Sequence, residues 1–168
     1  MQITDVNTFL DYYSGIKSRT MRLFPLIPPD KIEWTYRPGK FTFGELIRHL
    51  GAIERWMYAE TVQMRPAKYT GCGTNLAEGY GATIDFYKKM HEDSMQIFRS
   101  LTAEDLMKKC KTPAGIDITV WKWLRAMVEH EIHHRGQIYT YLGILDIDVP
   151  PIFGLTSEQV AERGKENV

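Results

Sequence analysis

The stretch EHEIHHRGQ, residues 129–137, governs the interpretation of the chain because it places three of the five histidines on one predicted helix. Each residue of an α-helix turns by about 100°, so residues four apart lie on the same face. His130 and His134 form such a pair, and both rings could reach a single ion. His133 is rotated by about 60° from His130 and is set aside. The stretch therefore indicates a helix with a candidate metal site on one face.

The face that carries His130 is typical of the inner side of a helical bundle. It passes from apolar to polar residues in the order Trp123, Met127, His130, His134, Gln137 and Tyr141. Two imidazoles alone are also compatible with hydrogen-bonded core histidines, because zinc sites usually use three or four protein ligands. A metal site here therefore requires a ligand from elsewhere in the chain.

The same stretch matches the H-E-x-x-H pattern of zinc proteases, with Glu131 in the position of the general base. On a regular helix Glu131 lies about 100° away from His130. The pattern by itself does not decide whether this carboxylate faces an ion.

Composition and charge exclude several classes of function. The 168 residues are 43% hydrophobic and 25% charged, as expected for one globular domain over residues 1–168. Basic and acidic residues number 21 each, so the chain lacks the positive charge typical of nucleic-acid binding. There is no apolar run of about 20 residues and no signal-peptide pattern. The charge and the short apolar runs thus predict no nucleic-acid partner and no membrane partner. Cys72 and Cys110 lack CxxC spacing, so we expect reduced cysteines and a cytoplasmic protein.

Periodicity and capping signals predict four long helices and therefore an all-α four-helix bundle. The predicted helices cover residues 5–23, 42–64, 75–101 and 119–145, with a Thr42–Glu45 capping box at the second and an Asn75 cap at the third. Alternating residues around the Pro-Ala-Gly turn at 113–115 predict a minor β-hairpin. A Thr156–Gln159 capping box predicts a short C-terminal helix.

Two further histidines lie on predicted inner faces. His49 shares an apolar stripe with Leu46 and Ile53, where it could be a core residue or a ligand. Together with His130 and His134 it would complete a three-histidine site. His91 lies on the core seam of the third helix and could be a fourth ligand, although a hydrogen-bonded core histidine is the commoner case.

The sequence resembles the DinB-like (DinB/YfiT) family over nearly the whole chain. The resemblance lies in ELIRHLGAIERW, in WLRAMVEHEIHHRGQIYTYL and in PPIFGLT, and HHRGQ is its most specific part. It implies a four-helix bundle with an unusual helix order, commonly packed as a dimer, that binds one divalent metal through three histidines. By position these ligands are His49, His130 and His134. Histidine ligands suit several ions, and zinc or nickel is expected.

The resemblance implies a metal-dependent enzyme without fixing its reaction. Members include thiol-dependent transferases or isomerases, which use a low-molecular-weight thiol, and metal-dependent hydrolases. The ion would activate a thiol or water against a small-molecule substrate. Gln137 and Tyr141 could bind that substrate or tie the core together, and Cys72 and Cys110 lie off the ligand stripes. The alternative is a non-enzymatic bundle with a structural metal or an interaction role.

Overall fold

The computed structural model describes residues 2–166, and most of them are helical. Four long helices correspond to those predicted: α1 (Val6–Met21), α2 (Phe43–Ile53, continued by a π-helical turn, Glu54–Tyr58, and by Ala59–Thr61), α3 (Tyr80–Arg99) and α5 (Val120–Ile144). The smaller elements are a short helix α4 (Ala103–Met107), strands β1 (Lys109–Lys111) and β2 (Asp117–Thr119), and a C-terminal helix α6 (Ser157–Glu166). Short 3-10 turns, Phe24–Leu26 and Pro29–Lys31, connect α1 to α2. None of the described helices has the length and apolar character needed to cross a membrane.

The predicted four-helix bundle is confirmed, and its helix order is up-down-down-up. Helix α1 packs against α3 and α5, and α2 packs against the same two helices. One apolar cluster joins the starts of α1 and α5 to the ends of α2 and α3, and a second occupies the opposite end of the bundle. Helices α1 and α5 are therefore parallel to each other and antiparallel to α2 and α3. Because α2 and α3 run the same way, residues 62–79 must return along the bundle, and we call them the return segment.

The return segment is anchored by Arg48, whose side chain is fully buried. Its guanidinium donates to the carbonyls of Cys72 and Ala77 at 2.8 and 3.1 Å. The same group forms an ion pair with Glu33 at 2.7 Å. These bonds hold an otherwise irregular segment against α2, on the helix that carries His49.

The predicted start of the third helix at Asn75 is wrong. Helix α3 begins at Tyr80 after Gly79, whose φ of 78° is a conformation that glycine adopts without strain. The carbonyl of Ala77, which would accept an early bond of the predicted helix, accepts from Arg48 instead. Tertiary contacts thus displace a local capping signal.

The other local predictions are confirmed. Asp5 caps α1, and Thr42 and Glu45 form the reciprocal bonds of a capping box. Strands β1 and β2 form the antiparallel hairpin, with Cys110 opposite Ile118. Thr156 and Gln159 exchange hydrogen bonds at the start of α6.

The π-helical turn rotates the last part of α2. A π turn contains an additional residue, so the side chains that follow it leave the regular inward stripe. Tyr58 is buried, whereas Trp56 is half-buried. Glu54, the first residue of the turn, follows the buried Leu50 by four positions, so regular helical spacing already points its carboxylate to the centre of the bundle.

Lys17, Glu54 and Glu131 form what we call the central ion cluster, between the two apolar clusters. The ammonium nitrogen of Lys17 lies 2.7 Å from a carboxylate oxygen of Glu54 and 3.1 Å from one of Glu131. All three side chains are almost fully buried. Burial alone would lower the pKa of Lys17, but the two carboxylates raise it above its ordinary value, so the ammonium form is favoured.

Three further groups satisfy the remaining carboxylate positions of this cluster. The hydroxyls of Tyr13 and Tyr87 donate to Glu54 and Glu131 at 2.9 and 3.0 Å, respectively. Nδ1 of His91 lies 2.9 Å from the other oxygen of Glu54. All four long helices therefore contribute to one polar network.

Replacing Lys17 with methionine should strongly destabilise the fold, because it leaves two buried carboxylates without their cation. We expect the free energy of unfolding to fall by about 3–5 kcal/mol, measured by urea denaturation at pH 7. Lys89→Met is the control, since Lys89 pairs with Asp93 at the surface, and its effect should stay within about 0.5 kcal/mol. Equal stabilities of the two variants would contradict a central role for the cluster.

Candidate metal centre

The structure brings His49 of α2 together with His130 and His134 of α5. Nε2 of His130 lies 3.1 Å from Nε2 of His49 and 3.0 Å from Nε2 of His134. The three rings form a group whose ligand atoms all lie within 4.8 Å of one another. An ion bound at about 2.0–2.1 Å from each of three nitrogens requires them to be roughly 3–3.5 Å apart. The spacing therefore fits a single divalent ion.

Hydrogen bonds on the far sides of two rings leave the inner nitrogens free to act as ligands. Nδ1 of His134 lies 2.6 Å from Oε1 of Gln137, which can only accept, so Nδ1 carries the proton and Nε2 has a free lone pair. Nδ1 of His49 lies 2.7 Å from the hydroxyl oxygen of Tyr69, which can accept in the same way. Such outer hydrogen bonds fix the tautomer and orientation of metal-binding histidines.

Tyr69 was missed by the sequence analysis because it lies in the return segment, away from any helical stripe. Glu45, one turn before His49, is engaged in the capping box of α2. Burial and the neighbouring Cys72 thiol raise the pKa of Tyr69, so its hydroxyl stays protonated near neutral pH. Burial also raises the pKa of Cys72, which keeps it a thiol rather than a thiolate.

The environment of the site favours neutral imidazoles. Burial, assisted by repulsion from His134, lowers the pKa of His49 to about 4. Burial and the other histidines lower the pKa of His130 to about 3. Burial also lowers the pKa of His134, although its bond to Gln137 opposes the shift. A neutral imidazole is the form that binds a metal.

Other candidates lie outside this group. His133 is exposed, as its position on the helix predicts. His91, considered as a fourth ligand, is bonded to Glu54 in the central ion cluster instead. Glu131 of the H-E-x-x-H pattern is bonded to Lys17 and Tyr87, so it does not occupy the position of a protease base. Cys110 is buried within the hairpin, in strand β1.

An aromatic side chain covers one side of the three histidines. The ring of Phe41 stacks on His49 at 5.3 Å between centroids and meets His134 edge-on at 6.0 Å. Phe41 and Gln137 also line a neighbouring cavity of about 840 Å³. Its other walls include Tyr36, Lys40, His133 and Tyr141. The cavity has room for a small molecule beside the candidate metal site.

Tyr141 contributes to packing. Its ring meets those of Trp34, Tyr36 and Phe43 at centroid distances of 5.9, 5.2 and 5.5 Å. Tyr141 is 5% exposed and still forms part of the cavity wall. Tyr141 therefore packs in the core while it lines the cavity, and Gln137 is hydrogen-bonded to the ring of His134.

A family model described as the DinB superfamily matches residues 13–138. A DinB-like protein from Bacillus cereus has 17% identity and a TM-score of 0.74, covering 88% of this chain and 97% of that one. A DinB-like protein from Bacillus subtilis has 19% identity and a TM-score of 0.71, covering 89% and 99%. YfiT from Bacillus subtilis has 12% identity and a TM-score of 0.69, covering 88% and 91%. It is described as a probable metal-dependent hydrolase with an unusual four-helix bundle topology. Curated proteins give no match.

Acidification should destabilise the metal-free protein through its buried histidines. Unfolded histidines take up protons below about pH 6.5, whereas folded His49 and His130 do so only near 4 and 3. Between these values the unfolded state binds more protons, so the free energy of unfolding falls as the pH falls. Urea denaturation of chelator-treated protein at pH 7 and pH 5 measures the difference.

The contribution of one histidine can be isolated by substitution. In His130→Gln the loss of stability between pH 7 and pH 5 should be about 1–2 kcal/mol smaller than in the wild type. His133→Gln, which changes an exposed ring, should retain the wild-type loss. An identical pH dependence in wild type and His130→Gln would show that His130 is not kept neutral by the fold.

Proposed function

This chain belongs to the DinB superfamily, and from that premise we propose that it is a metal-dependent enzyme whose divalent ion is held by His49, His130 and His134. The convergence of three Nε2 atoms carries this proposal. When all three rings carry their proton on Nδ1, the lone pairs of the Nε2 atoms of His49 and His134 face that of His130 at 3.1 and 3.0 Å. A cation at their centre removes that repulsion. Gln137 and Tyr69 support the assignment because they occupy the outer nitrogens.

The chemistry we propose needs a nucleophile from outside the chain. A bound divalent ion would supply the positive charge that activates a thiol or a water. Neither cysteine belongs to the three-histidine group, and burial raises the pKa of both thiols. We favour an external low-molecular-weight thiol, hence an S-transferase reaction, with hydrolysis by water as the alternative. Zinc or nickel is the expected ion, since both bind imidazole ligands.

The residues around the site have distinct roles in this proposal. Gln137 and Tyr69 orient the rings of His134 and His49. We place a small electrophilic substrate in the cavity beside Phe41, whose wall also contains Gln137, the hydrogen-bond partner of His134. Phe41 limits the access of solvent to His49 because its ring lies over that ligand.

A structural metal is the competing proposal, and one observation favours it. The three histidines come from α2 and α5, so an ion would link two antiparallel helices and stabilise the native state. Only the enzyme is expected to convert a substrate to product. Only the enzyme also needs the cavity beside Phe41, where that substrate would bind.

Location and assembly stay predictions. The free thiols of Cys72 and Cys110 are compatible with the reducing cytoplasm we propose. A homodimer is expected from the family resemblance.

The ligand assignment predicts the metal content of single variants. Alanine at His49, His130 or His134 should reduce bound metal severely, because two ligands remain. His133→Ala should retain most of the metal, since His133 is an exposed neighbour on the same helix. Elemental analysis of the purified proteins measures the metal content, and circular dichroism verifies that each variant is folded. Wild-type metal content in His49→Ala would refute the assignment.

The external nucleophile predicts the behaviour of the cysteine variants. Activity towards electrophilic substrates with an added thiol should survive the double change Cys72→Ser, Cys110→Ser. It should disappear after chelation and in His134→Ala. Product formation assayed with and without the thiol distinguishes transfer from hydrolysis. If the double cysteine variant is inactive while the chelated wild type is active, the metal is not part of the reaction.

A further inference from the structure

Strand β1 forms an edge of the two-stranded sheet, and its outer side is unpaired in the described part of the chain. In an antiparallel ladder, residue pairs that exchange hydrogen bonds alternate with pairs that do not. At one end of the hairpin, the N–H of Val120 donates to the carbonyl of Lys108 at 2.9 Å. At the other end, the N–H of Thr112 donates to the carbonyl of Ile116 at 2.9 Å. Cys110, midway between them, therefore belongs to a third bonded pair.

The main-chain groups of Lys109 and Lys111 consequently point away from β2. Their neighbours across the ladder, Thr119 and Asp117, complete the non-bonded pairs. Outside the ladder, the N–H and carbonyl groups of the two lysines form no hydrogen bond with a residue that the structure describes. Strand β1 thus offers donors and acceptors along a free edge.

A cleft of about 660 Å³ lies beside this edge. Lys109 and Lys111 line one wall together with the turn of the hairpin, and the start of the return segment, with Arg65 and Pro66, lines the other. Proline has no N–H, and residues 65–73 are neither helical nor part of a strand. The second wall is therefore irregular and does not extend the sheet. The open space is where a further strand would pair with β1.

The lining of the cleft is positively charged overall. It includes three cations, Arg65, Lys109 and Lys111, and one carboxylate, that of Asp117. Asp117 is paired with Lys111 at 2.9 Å, but both side chains are exposed, so the attraction between them is weak. Among the described residues, no carboxylate forms an ion pair with Arg65 or Lys109. Two positive charges at the cleft therefore lack a partner.

This charge distinguishes between candidate partners for the edge. Two copies of β1 that paired edge to edge would bring their lysines together, and lysines on edge strands oppose such pairing. Alternate residues of a strand share one face. A partner strand with acidic residues two positions apart would therefore place both carboxylates on the face that carries Lys109 and Lys111. Opposite charges across a strand pair are favourable.

We propose that the edge of β1 and the cleft beside it form a docking site for an extended acidic segment of a partner protein. The segment adds a third strand to the hairpin through main-chain bonds to Lys109 and Lys111. Its carboxylates face the two ammonium groups and the guanidinium of Arg65. Val120, at the end of the hairpin, precedes His130 by about 15 Å along α5. The docking site is thus separate from the three-histidine centre and does not depend on its metal.

A synthetic acidic peptide is the first probe. The peptide is fluorescein-labelled Thr-Glu-Val-Glu-Val-Thr, and its binding to the full-length protein is measured by fluorescence anisotropy. Binding should be saturable and should weaken as salt is added, because the charges that attract the peptide are exposed. Hydrogen exchange of the Lys109 and Lys111 amides, followed by NMR, should slow in the complex because both amides become hydrogen-bonded. A peptide with lysine in place of both glutamates should not bind.

Matched variants separate main-chain pairing from charge. Lys109→Pro and Lys109→Gln lose the same charge, but only the proline also removes the N–H on the free edge. Lys108 has φ −67° and ψ 161°, which is compatible with a following proline. Lys109→Pro should therefore bind the peptide about fivefold more weakly than Lys109→Gln. Arg65→Gln should also weaken binding, whereas Lys89→Gln, at the surface of α3, should leave it unchanged.

Modified peptides make the test independent of the folding of the proline variant. Two peptides are N-methylated at alternate amides, one at each of the two alternating sets. Only one set faces β1, so one peptide should lose its binding and the other should retain it.

Three results with the peptides would overturn the proposal: no binding by the wild type, equal binding of the lysine peptide, or undiminished binding of both N-methylated peptides. Self-association of the protein that protects the Lys109 and Lys111 amides without any peptide would also overturn it. A second copy of the chain would then be the partner of the edge.

Discussion

The ammonium of Lys17, held between the carboxylates of Glu54 and Glu131, is the interaction on which the arrangement of the bundle depends. It joins α1, α2 and α5 in one contact, and Tyr87 and His91 connect α3 to the same carboxylates. Apolar packing permits small rotations of a helix, but a buried ion cluster permits few, because a displaced charge would lose its partner. The cluster thus fixes how each helix is turned about its axis.

The candidate metal centre depends on that rotation. Glu131 follows His130 directly, so its bonds to Lys17 and Tyr87 turn the next face of α5, with His130 and His134, toward α2. Gln137 and Tyr69 then orient two of the rings. The bonds of Glu131 in the core and the bonds of Gln137 and Tyr69 to the outer nitrogens therefore determine where the three Nε2 atoms lie.

Much of this could be predicted from the sequence, and the exceptions have physical causes. The bundle and the meeting of His49 with His130 and His134 followed from helical periodicity and from the family resemblance, because inward-facing residues repeat along one helix face. The hairpin followed from the alternating residues on either side of the Pro-Ala-Gly turn. The role of Tyr69 could not be predicted, because an irregular segment has no period. The burial of Tyr58 was also missed, since the π turn changes the register of the last part of α2. Asn75 gave a misleading capping signal because Arg48 takes the carbonyl of Ala77.

The return segment has a kinetic consequence for any ion held by the histidines. It has little regular structure, and Arg48 and Tyr69 connect it to α2 through a small number of bonds. Segments of this kind open at a lower free energy than the helices they cover. When it opens, His49 loses the partner of its outer nitrogen while the bundle stays folded. An ion can thus be exchanged through a local opening. The residence time of the ion then depends on how often the return segment opens, and not on how often the whole fold opens.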